Sequence, residues 1–119
     1  LSILRNNSPN QQGNTKITSL DIFMKSLKLN KLNLIKIDVE GFELNVLKGA
    51  IETIFKYKPI LFIEVSNENL KKYGHNNQNL IDEIKNLNYD IYSAESHELY
   101  KVNNKKHEDV ICYPKKAEW

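Results

Sequence analysis

The chain has 119 residues, 40% hydrophobic and 27% charged, which suits one soluble globular domain with one core and excludes disordered and fibrous classes. A net charge of +2, built from sixteen Lys and one Arg scattered along the chain, offers no basic face to a nucleic-acid partner. The single cysteine, Cys112, excludes an internal disulfide, and without a membrane-length apolar stretch or a basic-then-apolar signal the expectation is a cytoplasmic protein with no membrane partner.

Residues 1–4 are apolar, and the polar run from Asn6 to Asn14 after them has no face to bury, so the start is expected to be loop. Residues 15–19 alternate around Ile17 and suit a short edge strand. Leu20, Phe23, Met24 and Leu27 then fall at helical spacing, with Thr18, Ser19 and Asp21 for the cap and Lys25 and Lys28 at the far end, giving a helix over 20–29.

Residues 34–39 form an apolar run of strand length with apolar positions on both faces, as in a central parallel strand. It ends in Asp38, Glu40 and Gly41, where the pattern switches to helical period. Leu47, Ala50, Ile51, Ile54 and Phe55 make the stripe of one helix that Pro59 ends, with Glu43 at its positive end. Gly49 inside that stripe predicts a close approach of a neighbouring backbone.

Residues 60–65 repeat the design, an apolar strand closed by Glu64. Strand, helix, strand reads as a right-handed unit with neighbouring parallel strands, whose carboxyl ends bring Asp38, Glu40 and Glu64 to one edge. Residues 66–79, with Tyr73, Gly74 and His75, read as a long polar loop. Leu80, Ile81, Ile84 and Leu87 predict a helix stopped at Asn88, and residues 89–93, 99–102 and 110–113 predict three antiparallel segments, with Cys112 a buried strand residue. Neither an internal repeat nor a linker interrupts the chain, so one domain spans 1–119.

Alternation places Lys36, Asp38 and Glu40 on one side of the strand if extended backbone persists that far. One reading is an ion pair that fixes the strand, because a lysine in a central strand needs a partner. The other is an acidic site whose field favours a cationic ligand, a divalent metal such as Mg²⁺ held by Asp38, Glu40 and Glu64, or a proton taken from a substrate hydroxyl. His75, His97 and His107 have no ligand spacing, and only His75 lies in a loop able to fold over the same edge. Neither Gly-x-Gly-x-x-Gly nor a Gly-Lys-Ser/Thr loop occurs, which argues against a nucleotide-phosphate site.

The motif Leu34-Ile35-Lys36-Ile37-Asp38-Val39-Glu40-Gly41-Phe42-Glu43, with Val46-Leu47-Lys48-Gly49-Ala50, Pro59-Ile60 and Glu64-Val65, resembles the C-terminal half of FkbM-type S-adenosylmethionine-dependent methyltransferases. Thr18-Ser19-Leu20-Asp21 and Leu87-Asn88-Tyr89-Asp90 resemble the flanking elements, with Asn88 where the family often has Gly, so the resemblance runs over about 15–114. It implies an α/β fold, the C-terminal part of a Rossmann-like class I methyltransferase sheet, parallel with helices and antiparallel at its C-terminal end. It also implies S-adenosylmethionine as cofactor and a hydroxyl on a sugar-like or other small metabolite as acceptor. Asp38 and Glu40 are then the catalytic candidates, Asp38, Val39 and Gly41 the cofactor-binding ones, and Lys36, Glu64 and His75 substrate-binding or supporting.

The family's Gly-rich first strand-loop and acidic second strand end have no counterpart in this sequence. The resemblance therefore predicts an incomplete domain, inactive and marginally stable alone, whose strand 34–39 lacks its inner neighbour. A non-catalytic interaction module is the remaining alternative.

Overall fold

The computed structural model describes residues 2–4 and 18–116. Strands β1 (Ser2–Leu4), β2 (Leu34–Asp38), β3 (Ile60–Val65), β4 (Tyr89–Ser93) and β5 (Glu108–Pro114) form one sheet in the order β1-β2-β3-β5-β4. β1, β2 and β3 run parallel, with Ile37 beside Ile3 on one side and Ile63 on the other. β5 turns back from β4 and enters between it and β3, antiparallel to both. The mixed α/β architecture and the antiparallel C-terminal end are as the sequence implies.

β1 is the first departure from expectation. Residues 2–4 are strand, not loop, and they supply the neighbour that β2 was expected to lack. The expected strand over 15–19 falls mostly outside the described residues, and Ser19 serves instead as a helix cap, its hydroxyl accepting the Ile22 N–H at 3.2 Å.

Burial alternates along β2, β3, β4 and the first five residues of β5, as period-two geometry requires. Ile35, Ile37, Leu61, Ile63, Val65, Tyr89, Ile91, Val110 and Cys112 face a single core, joined by Leu44, Leu47, Ile54, Leu70, Leu80, Ile81 and Ile84 from the helices. Lys36, Asp38, Phe62, Glu64, Tyr92 and Ile111 lie on the opposite face, all exposed or half-buried. Each side chain of Leu or Ile size taken fully into the core contributes about 1.5–3 kcal/mol.

α1 (Leu20–Lys25) is shorter than the pattern suggests, because Leu27 and Leu29 stay 36% and 40% exposed and give a longer helix no core to cover. The single helix expected before Pro59 is two, α2 (Glu43–Lys48) and α3 (Ile51–Tyr57). Asp21 causes the break. Its N–H donates to the Gly49 carbonyl at 2.9 Å, while its carboxylate accepts the Thr53 N–H at 2.8 Å, so the bond that would carry the helix past Gly49 is replaced at both ends. A Cβ on Gly49 would stand 3.0 Å from Ser19 Cβ, so the glycine does mark a close approach.

The expected loop over 66–79 is also helical in part. Ser66 caps α4 (Asn67–Lys71), and Asn76 with Asn79 forms a reciprocal capping box at the start of α5 (Asn77–Asn86). Asn88 adopts φ +69°, the left-handed helix stop expected of it. Residues 99–102 form no strand. Leu99 makes one isolated antiparallel bridge to Tyr92 within the turn that follows β4.

Candidate active site at the carboxyl ends of β2 and β3

β2 ends at Asp38, and the chain then turns sharply, Phe42 N–H reaching back to the Val39 carbonyl at 3.3 Å. Both residues inside the turn have positive φ, Glu40 at +48° and Gly41 at +107°. For Glu40 that conformation costs about 1–2 kcal/mol. For Gly41 no side chain is admissible, since a Cβ would lie 2.1 Å from the Asn69 carbonyl oxygen of α4 and 3.1 Å from the Tyr73 ring. Phe42 stacks edge-on against Tyr73 at 5.2 Å, completing the contact between the turn and the end of α4.

The turn is held from within by Glu43. Its side chain is 1% exposed, with Oε1 accepting the Gly41 N–H at 2.8 Å and Oε2 accepting the Val39 N–H at 3.0 Å. Burial raises the Glu43 pKa above the ordinary value, its backbone hydrogen bonds oppose that shift, and the nearby Asp38 charge adds to it. Hydrogen bonds to a charged group contribute about 1.5–3 kcal/mol each, so two outweigh the strain at Glu40. Sequence reasoning placed Glu43 at the positive helix end and missed this role. Spacing gives the signal for it, because a glutamate two residues after a glycine turn reaches the N–H groups of that turn.

Beyond the turn, Asp38 and Glu64 meet across the parallel pair β2 and β3. Glu64 is 19% exposed in its side chain and hydrogen-bonds the Asp38 carboxyl. Burial raises the Glu64 pKa most, then the hydrogen bond with Asp38 and the charges of Asp38 and Asp109, while His107 acts in the opposite sense. His107 approaches from the segment leading into β5, its Nδ1 3.8 Å from Glu64 Oε1. A hydrogen bond between two carboxyls needs a proton on one of them, and burial favours the neutral form of Glu64.

Asp38 and Glu64 are thus brought together as the sequence suggested, and His107, read there as an exposed loop residue, is the histidine that reaches Glu64. Glu40 is exposed at the left-handed position of the turn, beyond the end of the strand, so the extended geometry that would align it with Asp38 does not persist. Lys36 forms no ion pair with Asp38 among the described residues. Its ammonium lies 6.0 Å from the Phe62 ring centroid, on a face open enough to keep it hydrated, which removes the need for a partner. Val39 and Gly41 are buried with their N–H groups committed to Glu43.

His75 is not part of this group. It is half-buried in a groove of about 340 Å³ with Leu44, Lys48 and Asn79, between α2 and α5 on the helical side of the sheet. Among the described residues no three His, Cys, Asp or Glu side chains are placed to hold a metal ion, so the alternative reading of Asp38, Glu40 and Glu64 as a Mg²⁺ site finds no such cluster.

A strand ending in Asp38, a glycine turn braced by Glu43 and a second strand ending in Glu64 set the acidic motif in one unit. The family model described as the Methyltransferase FkbM domain matches residues 6–91, which contain all of it. The chain belongs to the FkbM methyltransferase family. The match covers α1 through most of β4 and leaves β5 outside it. No curated protein and no solved structure matches the chain. Among the described residues of this FkbM domain no helix is long and apolar enough to cross a membrane.

Proposed function

We propose that this FkbM domain takes part in S-adenosylmethionine-dependent O-methylation of a small, sugar-like hydroxyl acceptor. The observation that carries the reading is the Asp38 and Glu64 pair, two carboxyls sharing a hydrogen bond at the ends of adjacent parallel strands, where open α/β sheets place their ligands. The pair fits the cationic part of the cofactor, since a half-buried acidic edge lowers the energy of a positive charge beside it. S-adenosylmethionine supplies a methyl group activated by a sulfonium centre. Asp38 is the residue of this chain that would face that charge. Val39 and Gly41 contribute by shaping the turn, because their N–H groups are already bonded.

Methyl transfer to a hydroxyl requires the oxygen to lose its proton as the new bond forms. Asp38 accepts that proton and passes it on to solvent, to which its side of the sheet is open. Glu40, exposed on the turn, orients the acceptor, and Lys36 offers a hydrogen-bond donor two residues before Asp38. Alignment of acceptor and methyl group is the main demand on the site, and the rigid turn serves it.

The test uses the protein at its natural full length with radiolabelled S-adenosylmethionine and a panel of monosaccharides and glycosides. Transfer to a member of the panel is expected in the wild type, falling at least a hundredfold in Asp38→Asn and Glu40→Gln with unchanged circular dichroism. Wild-type turnover in Asp38→Asn removes the catalytic assignment, and the absence of S-adenosylhomocysteine binding by calorimetry removes the methyltransferase reading.

A further inference from the structure

We propose that Glu43 is a positioning residue of the site, its buried carboxylate fixing the two peptide planes that carry Asp38 and Glu40. This deepens the methyl-transfer reading and rests on it for its functional consequence. The geometry is specific to those planes. The Val39 N–H belongs to the peptide joining Asp38 to Val39, and the Gly41 N–H to the peptide joining Glu40 to Gly41. Holding both sets the backbone orientation of Asp38 and of Glu40, and with it the direction in which each side chain leaves the turn.

Only an ionised carboxylate meets both demands, since it offers two acceptor oxygens and no donor. A glutamine can accept one N–H but turns a donor toward the other. Solvent cannot stand in, because Glu43 is 1% exposed and its neighbours Leu44 and Leu47 are core residues. Phe42 at the N-cap of α2 makes no side-chain capping bond, so the Glu43 carboxylate does the work a cap would do there. The charge of Asp38 acts on Glu43, which couples the brace to the residue it positions.

Amide hydrogen exchange measured by NMR on this chain is the first test. In Glu43→Gln the Val39 and Gly41 amides are expected to exchange at least tenfold faster, with Ile37 and Ile63 unchanged. If the variant does not fold, the wild type decides alone: the Gly41 amide-proton shift follows a carboxyl titration displaced upward from the ordinary glutamate value, and a flat profile overturns the proposal. S-adenosylhomocysteine binding to the natural full-length protein is the second, expected to weaken at least tenfold in Glu43→Gln. Equal binding with loosened amides overturns the positioning role. No binding in either protein, with the amide result intact, removes the methyltransferase reading and leaves the brace standing.

Discussion

Glu64 and Asp38 share a hydrogen bond between carboxyl groups at the ends of two adjacent parallel strands. Such a bond exists only while one of the pair is protonated, and burial favours the neutral form of Glu64. The folded value of Glu64 lies above the ordinary 4.5, so in the interval between them the folded chain binds more protons than the unfolded chain. Stability from this group is therefore full below the ordinary value and is lost as pH rises through the folded one. Glu43, also raised, acts in the same sense. Glu108 is opposite in sign, because its bond from the Ser93 hydroxyl lowers its pKa and is lost on acidification. Urea unfolding of wild type and Glu64→Gln at several pH values is expected to show a smaller fall in stability between weakly acidic and neutral pH in the variant. Parallel curves would mean that the two carboxyls do not share a proton.

Much of this arrangement is legible in the sequence. The apolar run before Asp38 and its repetition before Glu64 give the parallel pair, although only one face of each strand is buried, and the Pro59 and Asn88 stops fall as expected. What the pattern hides is action at a distance. Asp21 reads as a cap for its own helix, yet its carboxylate serves Glu52 and Thr53 some thirty residues on, and that is why one predicted helix is two. The 66–79 segment reads as loop because asparagine is a poor helix former, but Asn76 and Asn79 use their side chains to start α5. Lys36 misled for a different reason. A lysine on a central strand needs a counter-ion only where the face is covered, and periodicity does not reveal coverage.

Gly41→Ala tests the turn directly. The new Cβ would meet the Asn69 carbonyl at 2.1 Å and would sit at φ +107°, so both the contact and the conformation oppose it. Backbone cannot yield as a side-chain tip does. A loss of about 3 kcal/mol is expected by chemical denaturation, near the upper end for a single substitution. Gly74→Ala is the control, since nothing lies within 4 Å of its added Cβ, although it too has a positive φ, of +77°. A similar loss in both would assign the effect to φ alone and not to the contact with α4.

Asp21→Ala removes three acceptor bonds at once, from the Glu52 N–H, the Thr53 N–H and the Thr53 hydroxyl at 3.1, 2.8 and 2.7 Å. The site is partly exposed, so water replaces some of what is lost. A helix-cap loss of about 1–2 kcal/mol is expected, and Asp21→Asn recovers part of it because the amide oxygen still accepts. Thermal unfolding of the three proteins orders them as wild type, Asn, Ala. An alanine variant as stable as wild type would show that α3 does not depend on α1 for its start.

Cys112 offers a reading of the sheet itself. It lies in β5 between Leu61 of β3 and Ile91 of β4, fully buried, and burial pushes its thiol up to about 12. Only the thiolate reacts with disulfide reagents or iodoacetamide, so at pH 8 the folded protein offers almost no nucleophile as well as no access. Labelling must wait for β5 to leave its partners. The labelling rate is therefore expected to rise with denaturant along the global unfolding curve, because β5 is bonded on both sides and has no independent way out. Fast labelling in buffer would mean instead that β5 detaches locally, and the C-terminal end of the sheet would then be a separate unit of stability from the β2 and β3 pair that carries the acids.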